Sequence, residues 1–359
     1  MGPAKVETLH EVLSDWDGEN ALVSYDARTG SYLFIAVHSR RLGPAAGGTR
    51  LKTYPTPVEA LRDATRLARA MTLKMAVAGL PMGGGKSVLA VPGELSPEDR
   101  RHLLLCHAHN VETLNGSYST GPDVGTTSAD MDVLHEHTEH AFGRSPAGGG
   151  SGSSAPDTAV GVFHGISAAV AHVHGGADVT GVRVLVQGCG AVGESLVGML
   201  VEAGALVTVS DIVPERVETL QTKYGVTSVV PDAIDVECDV YSPCALGQVI
   251  SARTIPHLRC RVVAGAANNV LVEAADGERL QEAGILYAPD FVINAGGAVH
   301  LIGYERLGWT TEQVEAGVRG IGTTLAQIFR DADEHGVSTE RAAERLAEAR
   351  LAAGPKRRE

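Results

Sequence analysis

The stretch that decides the fold is residues 182–211, VRVLVQGCGAVGESLVGMLVEAGALVTVSD. A buried β-type run over 182–187 leads into three glycines, and a helix is predicted over 194–203. A second strand is predicted over 205–210 and ends at Asp211. Strand, glycine loop, helix, strand and terminal acid together predict a dinucleotide-binding βαβ unit, in which the start of the helix binds a pyrophosphate.

The acidic residue that ends the second strand selects between the two nicotinamide cofactors. Asp211 lies roughly 20 residues after the first glycine, where a carboxylate accepts hydrogen bonds from the ribose hydroxyls. Since the same carboxylate would repel a 2′-phosphate, NAD is predicted rather than NADP. The residues predicted to bind the cofactor here are Gly188, Gly190, Ala191, Val192, Gly193 and Asp211.

Strand-like and helical patterns alternate on both sides of a clear change in composition. Residues 146–154, PAGGGSGSS, are typical of a flexible connection. We therefore predict an α/β protein with two domains. The N-terminal substrate-binding α/β domain covers residues 1–145, with the C-terminal helices 330–359 packing back on it, and a C-terminal Rossmann NAD-binding domain covers residues 146–329.

Composition and charge exclude several classes of function. The chain has 359 residues and a formal net charge of −13, which argues against general binding of nucleic acid or anionic membranes. No apolar run reaches the roughly 18 residues of a membrane span, and no basic and apolar leader begins the chain. Five cysteines without framework spacing fit a reducing compartment, so a cytoplasmic location is expected. The basic residues 356–358 are interpreted as a solvated end.

Histidine and cysteine also cluster over residues 102–109. His102, Cys106, His107 and His109 lie in a helical stretch, and neither a CxxC nor an HExxH motif accompanies them. We therefore expect no metal site.

Two lysines twelve residues apart frame the stretch 71–86, MTLKMAVAGLPMGGGK. Lys74 shares a helix face with Leu67 and Met71, and a lysine among apolar neighbours needs an anionic partner or tends to lose its proton. Lys86 follows three glycines, whose bare backbone would let a ligand approach. One lysine could hold a carboxylate while the other moves protons. The alternative is a pair of lysines that extend from a core helix and a turn to water.

Two other classes of protein fit the sequence less well. Residues 85–87, Gly-Lys-Ser, end like a phosphate-binding P-loop, but the first glycine of that motif would fall at Leu80, and Gly79 is one residue off. A non-catalytic NAD sensor on the same fold would lack at least one of Lys74, Lys86 and Asp123, and all three are present.

Five motifs carry a resemblance to a known family. The chain from about Leu42 to Trp309 resembles the amino-acid dehydrogenases that act on glutamate, leucine, valine and phenylalanine, and within them the phenylalanine enzymes of actinobacterial type. The motifs are GGTR at 47–50, MTLK at 71–74, GGGK at 83–86, GPDV at 121–124 and AANN at 266–269.

The resemblance implies that an L-amino acid, NAD and water give a 2-oxo acid, ammonium and NADH. It implies that Lys74 and Asn269 bind the substrate carboxylate, that Lys86 activates water with a lowered pKa, and that Asp123 exchanges protons with the amine. A homo-oligomer is also expected. Because water must be excluded during the reaction, the active-site cleft is expected to lie between the two domains. Gly47 is expected to contact the substrate as well, and further cofactor contacts are expected at Thr158, Ala245 and Asn268.

Substrate choice is predicted from side-chain size. In the resembled leucine enzymes a leucine stands at Ala46, a valine stands at Ala298, and alanine-glutamate replaces Gly121-Pro122. The smaller residues here would leave room for a ring, with Met71 and Leu301 as apolar walls. L-phenylalanine is therefore the expected substrate, and a branched-chain amino acid is the alternative. A third possibility is that these small residues only repack the core and do not affect the choice of substrate.

Overall fold

The computed structural model describes residues 8–354, which form two compact units. Within the described chain, the first unit holds residues 8–152 and 350–354, and the second holds residues 153–349. The predicted boundary after residue 145 therefore falls seven residues before this division. The larger difference concerns residues 330–349, which the sequence analysis assigned to the first domain and which belong to the second unit.

The first unit contains a mixed five-stranded sheet in the order β1-β2-β4-β3-β5. Strands β1, β2 and β4 pair antiparallel, whereas β3 pairs parallel with both β4 and β5. The strands are β1 Asn20–Asp26, β2 Ser31–Ser39, β3 Ala45–Lys52, β4 Gly83–Ala90 and β5 Tyr118–Pro122. The helices are α1 Leu9–Ser14, α2 Pro57–Val77, α3 Pro97–Thr113 and α4 Ser128–His135.

Helix α2 covers one face of this sheet. Thr56 caps it by accepting a hydrogen bond from the backbone N–H of Glu59, and Pro57 occupies the first turn. Its buried face includes Leu61 and Ala64, which pack against Phe34 and Val88 of the sheet. The helix predicted from Thr56 to about Lys74 is present and runs three residues further.

The glycines before Lys86 belong to strand β4 and lie against protein. A Cβ on Gly84 would lie 2.1 Å from the backbone nitrogen of Thr72 in α2. A Cβ on Gly85 would lie 2.8 Å from the ring of Tyr118. The expectation that these glycines leave bare backbone for a ligand therefore does not describe Gly84 or Gly85, which allow close packing of α2 and Tyr118 on the sheet.

The second unit contains a six-stranded parallel sheet in the order β11-β10-β9-β6-β7-β8, which confirms the predicted Rossmann fold. Its strands are β6 Arg183–Gln187, β7 Leu206–Ser210, β8 Thr227–Ser228, β9 Val240–Pro243, β10 Val262–Val263 and β11 Leu286–Tyr287. Its helices are α5 Ala155–His174, α6 Ala191–Glu202, α7 Pro214–Tyr224, α8 Ala275–Glu282, α9 Asp290–Ile293, α10 Gly296–Glu305, α11 Thr311–His335 and α12 Thr339–Ala353.

The long helix α11 belongs to the second unit because it packs closely on α5. A Cβ on Gly165 of α5 would lie 2.9 Å from Leu325, and one on Gly161 would lie 2.7 Å from Ile321. Small residues on α5 thus receive the apolar face of α11. Only the last turn of α12 belongs to the first unit, where Arg350 Nη1 donates to the carbonyls of Ala76 at 3.0 Å and Val77 at 2.6 Å.

Over residues 8–354, none of the helices combines the length and the apolar character that crossing a bilayer requires. The basic residues 356–358 lie outside the described residues.

We predict that Gly84→Ala destabilises the protein by about 1–3 kcal/mol, since the added methyl group must displace the backbone of α2. Gly93→Ala is the matched control, because a Cβ there meets nothing within 4 Å. The free energy of unfolding, measured by urea denaturation, should be unchanged or slightly higher for Gly93→Ala. Equal midpoints for the two variants would contradict the packing argument.

Candidate active site

A buried ion pair joins strand β4 to the end of β5. Lys86 is 5% exposed, and its Nζ lies 3.1 Å from Oδ2 of Asp123. Arg50, on β3 between these strands, donates from Nε to the same oxygen at 2.8 Å. One carboxylate oxygen therefore accepts from two cations on two strands, and this fixes the position of the carboxylate.

The three charged groups shift one another's pKa values. Burial lowers the pKa of Lys86 below its ordinary value; Asp123 opposes that shift, and the guanidinium of Arg50 adds to it. Burial alone would raise the pKa of Asp123, but the charges of Lys86 and Arg50 outweigh burial and hold it below its usual range. Asp123 is therefore ionised at neutral pH, and Lys86 gives up its proton more readily than a lysine in water.

A second carboxylate balances the charge of Arg50. Asp63 Oδ2 accepts from Arg50 Nη1 at 2.9 Å and from the hydroxyl of Tyr54 at 2.7 Å. Its other oxygen accepts from the exposed Arg66 at 2.8 Å. Burial raises the pKa of Asp63, but the hydrogen bonds and charges of these partners lower it overall. Arg50 is thus held between two ionised carboxylates.

The opposite face of the same three strands carries a buried hydroxyl network. Thr49 Oγ1 lies 2.6 Å from Thr120 Oγ1 and 3.0 Å from His107 Nε2. The Tyr118 hydroxyl lies 2.9 Å from Ser87 Oγ and donates to Thr120 Oγ1 at 3.2 Å. Each of the three strands contributes to this network, so it fixes their register beneath the ion pair.

His107 belongs to this network. Burial lowers its pKa to about 3, so the imidazole is neutral.

The predicted substrate residues of the first unit lie on or near the Lys86 face. Lys74 and Met71 are half-buried in the last two turns of α2. Ala46 is fully buried on β3, and the strand alternation places it on the face of Arg50 and, through its pairing with Gly84, of Lys86. Gly47 lies so close to β4 that a Cβ would be 1.8 Å from the carbonyl oxygen of Gly85.

The space beside Gly121 is filled by protein. A Cβ there would lie 2.4 Å from the ring of Phe142. The sequence predicts that Gly121 leaves room for a substrate ring. Its small size is equally explained by the packing of Phe142, which occupies that space. Pro122, the last residue of β5, is half-buried next to Asp123.

The glycine loop of the second unit has the form required to bind a pyrophosphate. Gly188 has φ of 110°, and a Cβ on Gly193 would lie 1.9 Å from the carbonyl oxygen of Gly188, so both positions need glycine. A Cβ on Gly190 would meet nothing within 4 Å, which leaves room on the side of the loop. Helix α6 begins at Ala191, and Val192 follows in its first turn. No side chain of the described residues caps this end, so the first N–H groups can bind an anion.

Asp211 ends strand β7 as predicted, and its carboxylate holds the loop. Its Oδ2 accepts from the backbone N–H of Cys189 at 2.6 Å, and its Oδ1 accepts from that of Val213 at 2.8 Å. Because a carboxylate has about four acceptor sites, these bonds leave capacity for a ribose hydroxyl. The residues of this loop thus fit NAD.

The remaining predicted residues follow strands and helix starts of the second unit. Asn268 Oδ1 accepts from Asn294 Nδ2 at 2.9 Å, and Asn269 has a left-handed backbone with φ of 52°. Thr158 lies in the first turn of α5, where its Oγ1 donates to the carbonyl of Ser154 at 2.9 Å. Ala245 contacts Gly188.

Two predicted pocket residues lie on one helix of the second unit. Ala298 and Leu301 are half-buried on α10, three residues apart and therefore on one face.

Sequence analysis missed the charged residues around the central pair. Arg50 is part of the motif at 47–50 without a predicted role, and no sequence pattern indicates Asp63 or Tyr54. The alternation along β3 could have indicated Arg50, since Gly48 and Arg50 share a face, but the glycine-rich run 45–49 was not interpreted as a strand.

Comparison with known proteins agrees with these features. A family model described as "Glu/Leu/Phe/Val dehydrogenase, dimerisation domain" matches residues 27–140. A second, "Glutamate/Leucine/Phenylalanine/Valine dehydrogenase", matches residues 213–358. A leucine dehydrogenase of Thermoactinomyces intermedius is 41% identical over 344 residues, covering 96% of this chain and 93% of that protein.

Two further relatives carry other substrate names. A valine dehydrogenase of Streptomyces albus is 40% identical over 362 residues, covering 99% of this chain and 98% of that protein. The crystal structure of L-tryptophan dehydrogenase from Nostoc punctiforme superposes with a TM-score of 0.85 and 37% identity, covering 96% of this chain and 99% of that one.

The second unit is a Rossmann domain with an NAD-type loop, and the first unit holds a buried lysine–aspartate pair. Together these features are typical of a nicotinamide-dependent dehydrogenase. The chain belongs to the Glu/Leu/Phe/Val family of amino-acid dehydrogenases. NAD is the cofactor that its loop and its family support.

We predict that Arg50→Met raises the pKa of Lys86. Removing the guanidinium takes away a charge that lowers this pKa, so the protonated lysine should persist to higher pH. The measurement is an NMR titration of the Lys86 Cε resonance, assigned with Lys86→Met.

Arg66→Met is the control, because Arg66 contacts Asp63 without reaching Asp123 and should leave the titration unchanged. A Lys86 pKa that stays the same or falls in Arg50→Met would contradict the coupling.

Proposed function

We propose that the protein catalyses the NAD-dependent oxidative deamination of an apolar L-amino acid, with L-phenylalanine as the preferred substrate. The products are the 2-oxo acid, here phenylpyruvate, with ammonium and NADH. The observation that supports this most directly is the buried Lys86–Asp123 pair, whose Nζ and Oδ2 are 3.1 Å apart.

In this proposal Lys86 activates the water that attacks the substrate carbon. Loss of hydride from Cα leaves an iminium, and its hydrolysis needs a base that functions near neutral pH. An ordinary lysine is protonated there, but burial lowers the pKa of Lys86 and makes the free amine accessible. Asp123, ionised and within hydrogen-bond distance of Lys86, accepts a proton from the substrate amine and can pass it on.

Binding of the substrate carboxylate is assigned to Lys74 and Asn269. Lys74 is a half-buried cation at the end of α2, and a charge-assisted hydrogen bond from it would fix the carboxylate. Asn269 follows β10 and can donate from its amide. Gly47 and Met71 complete the substrate residues proposed on the first unit.

Bound NAD would supply the acceptor for the hydride that leaves Cα. The protein's contribution is to hold NAD through the loop from Gly188 to Gly193 and through Asp211, with Thr158, Ala245 and Asn268 as further contacts. The acid at Asp211 favours NAD over NADP.

Two small residues support a substrate with a ring. Ala46 and Ala298 are smaller than the residues that the resembled leucine enzymes place there, and Leu301 lies on the same helix face as Ala298. Gly121 adds little, because Phe142 fills the space beside it. Aromatic preference has a parallel in the relative named L-tryptophan dehydrogenase.

A branched-chain substrate is the second candidate. It is favoured by the relatives at 41% and 40% identity, which are named leucine and valine dehydrogenases. Both candidates share the same chemistry and differ only in the volume of the side-chain pocket.

We also propose that the chain acts as a homo-oligomer. The description of the family model over residues 27–140 names a dimerisation domain, and this region lies in the first unit.

We predict that Lys86→Met lowers kcat by about 100- to 10,000-fold, which is the usual contribution of a general base. The affinity for NADH, measured by fluorescence, should remain within about threefold, since the predicted cofactor residues lie in the other unit. Lys52→Met, which removes an exposed lysine of the same sheet, should keep full activity. A Lys86→Met enzyme with more than a tenth of wild-type turnover would exclude the base assignment.

The substrate prediction concerns the ratio of kcat/KM for L-phenylalanine over L-leucine. Wild type should prefer phenylalanine, and Ala46→Leu combined with Ala298→Val should reverse the preference, since one misplaced methylene changes the free energy by about 1–3 kcal/mol. The two single variants and NADH affinity serve as controls. A wild type that prefers leucine or valine would establish the branched-chain candidate, and an unchanged ratio in the double variant would exclude these two residues from the pocket.

A further inference from the structure

A pocket of about 390 Å³ on the first unit is lined by side chains that can bind a transition metal. It lies between strand β1 and helix α3 and is separate from the Lys86 face. Asp26 is the last residue of β1, whereas His102, Cys106 and His109 lie on α3. The spacings of four and then three residues put these side chains on one face of the helix.

Three of these side chains already converge. His102 Nε2 lies 3.0 Å from Asp26 Oδ1 and 3.6 Å from Cys106 Sγ, and the three atoms all lie within 4.8 Å of one another. With Zn–N, Zn–O and Zn–S bonds of about 2.0–2.3 Å, a tetrahedral ion separates its ligand atoms by roughly 3.3–3.7 Å. The distances from the imidazole nitrogen, 3.0 and 3.6 Å, lie within a few tenths of an ångström of these values, and the third distance is at most 4.8 Å. A single ion could therefore contact all three atoms after side-chain shifts of up to about 1 Å.

The aspartate is held as metal-binding carboxylates usually are. Asp26 Oδ2 accepts from the backbone N–H of Thr29 at 3.0 Å and from its hydroxyl at 2.6 Å. These two bonds orient the carboxylate and leave Oδ1 directed at the imidazole. The Asp26 side chain is only 11% exposed and that of His102 is 33% exposed, so the group is shielded from water yet reachable.

We propose that Asp26, His102 and Cys106 bind one divalent transition-metal ion, with His109 or water as the fourth ligand. The mixed sulfur, nitrogen and oxygen donors favour Zn²⁺ over Mg²⁺ or Ca²⁺, which prefer oxygen alone. On binding, Cys106 releases its thiol proton to solvent and ligates as the thiolate. This revises the expectation of no metal, which considered only the residues of the helix and lacked the aspartate contributed by β1.

The bound ion would connect the β1–β2 hairpin at the edge of the sheet to α3. An ordinary His102–Asp26 ion pair also joins these elements, but it assigns no role to the Cys106 sulfur that faces the same imidazole nitrogen. The two explanations therefore differ in whether Cys106 matters. The site is independent of the dehydrogenase reaction, so its test does not depend on the proposed function.

The experiment titrates the untagged, chelator-treated full chain with Co²⁺ as the probe. We expect one equivalent to bind with a thiolate-to-cobalt charge-transfer band and the strong visible absorption of tetrahedral cobalt, and Zn²⁺ should displace it. Cys106→Ser and His102→Asn should each weaken binding at least about a hundredfold, beyond the 10- to 100-fold typical for outer-shell changes. Asp99→Asn is the matched control, since it removes a carboxylate of α3 that pairs with Arg28 and does not line the pocket.

A second measurement uses wild-type protein alone, so that a folding defect in a variant cannot decide the outcome. Zn²⁺ should slow alkylation of Cys106, followed by mass spectrometry, at least tenfold, with the buried Cys189, Cys238 and Cys260 as internal references. Absence of the charge-transfer band, unchanged affinity in a folded Cys106→Ser variant, or alkylation of Cys106 at the same rate with and without Zn²⁺ would each overturn the proposal.

Discussion

A lysine removed from water is the constraint on which the first unit depends. Burying an ammonium group without an anion is so costly that the group would lose its proton, and burying it against one anion gives an inert ion pair. Here the charges alternate, from Lys86 to Asp123 to Arg50 to Asp63, over contacts of 3.1, 2.8 and 2.9 Å. Asp123 holds Lys86 in place and stabilises its protonated form. Arg50 binds the same carboxylate, and its positive charge opposes that stabilisation.

The need for glycine at the centre of β3 follows from this arrangement of charges. Lys86 lies on β4 and Asp123 directly follows β5, and both strands pair with β3. Their side chains must therefore meet over a residue of β3 that has no side chain. A Cβ on Gly48 would lie 2.8 Å from Cβ of Asp123 and 3.3 Å from Nζ of Lys86. The motif at 47–50 therefore combines two requirements: glycine where the pair meets, and arginine one step further along the same face. The loop in the second unit obeys the same kind of rule, since Gly193 packs on Gly188.

A feature could be predicted from the sequence when its signal lies in residues that are close together in the chain. The βαβ unit, the amphipathic α2 and the lysines of interest have local signals, and the structure contains the predicted strands and helices there. Strand β3 has almost none, because Ala45–Gly48 lack β-branched or aromatic residues; its conformation comes from pairing on both sides. The contact of Phe142 with Gly121 and the packing of α11 on α5 join residues far apart in the chain, which no periodicity reports.

Substrate choice is the hardest property to predict from the sequence for a related physical reason. The proposed reaction needs charges and proton donors at fixed positions, so charged residues in specific motifs, such as Lys86 and Asp123, could be proposed for it from the sequence. A side-chain pocket is instead defined by volume, and one methylene changes the free energy of discrimination by only about 1–3 kcal/mol. Such changes can arise from any wall residue or from a ring such as Phe142 that moves into space left by a glycine. Relatives at 37–41% identity accordingly carry leucine, valine and tryptophan in their names, since a small change in the volume of a pocket needs few substitutions.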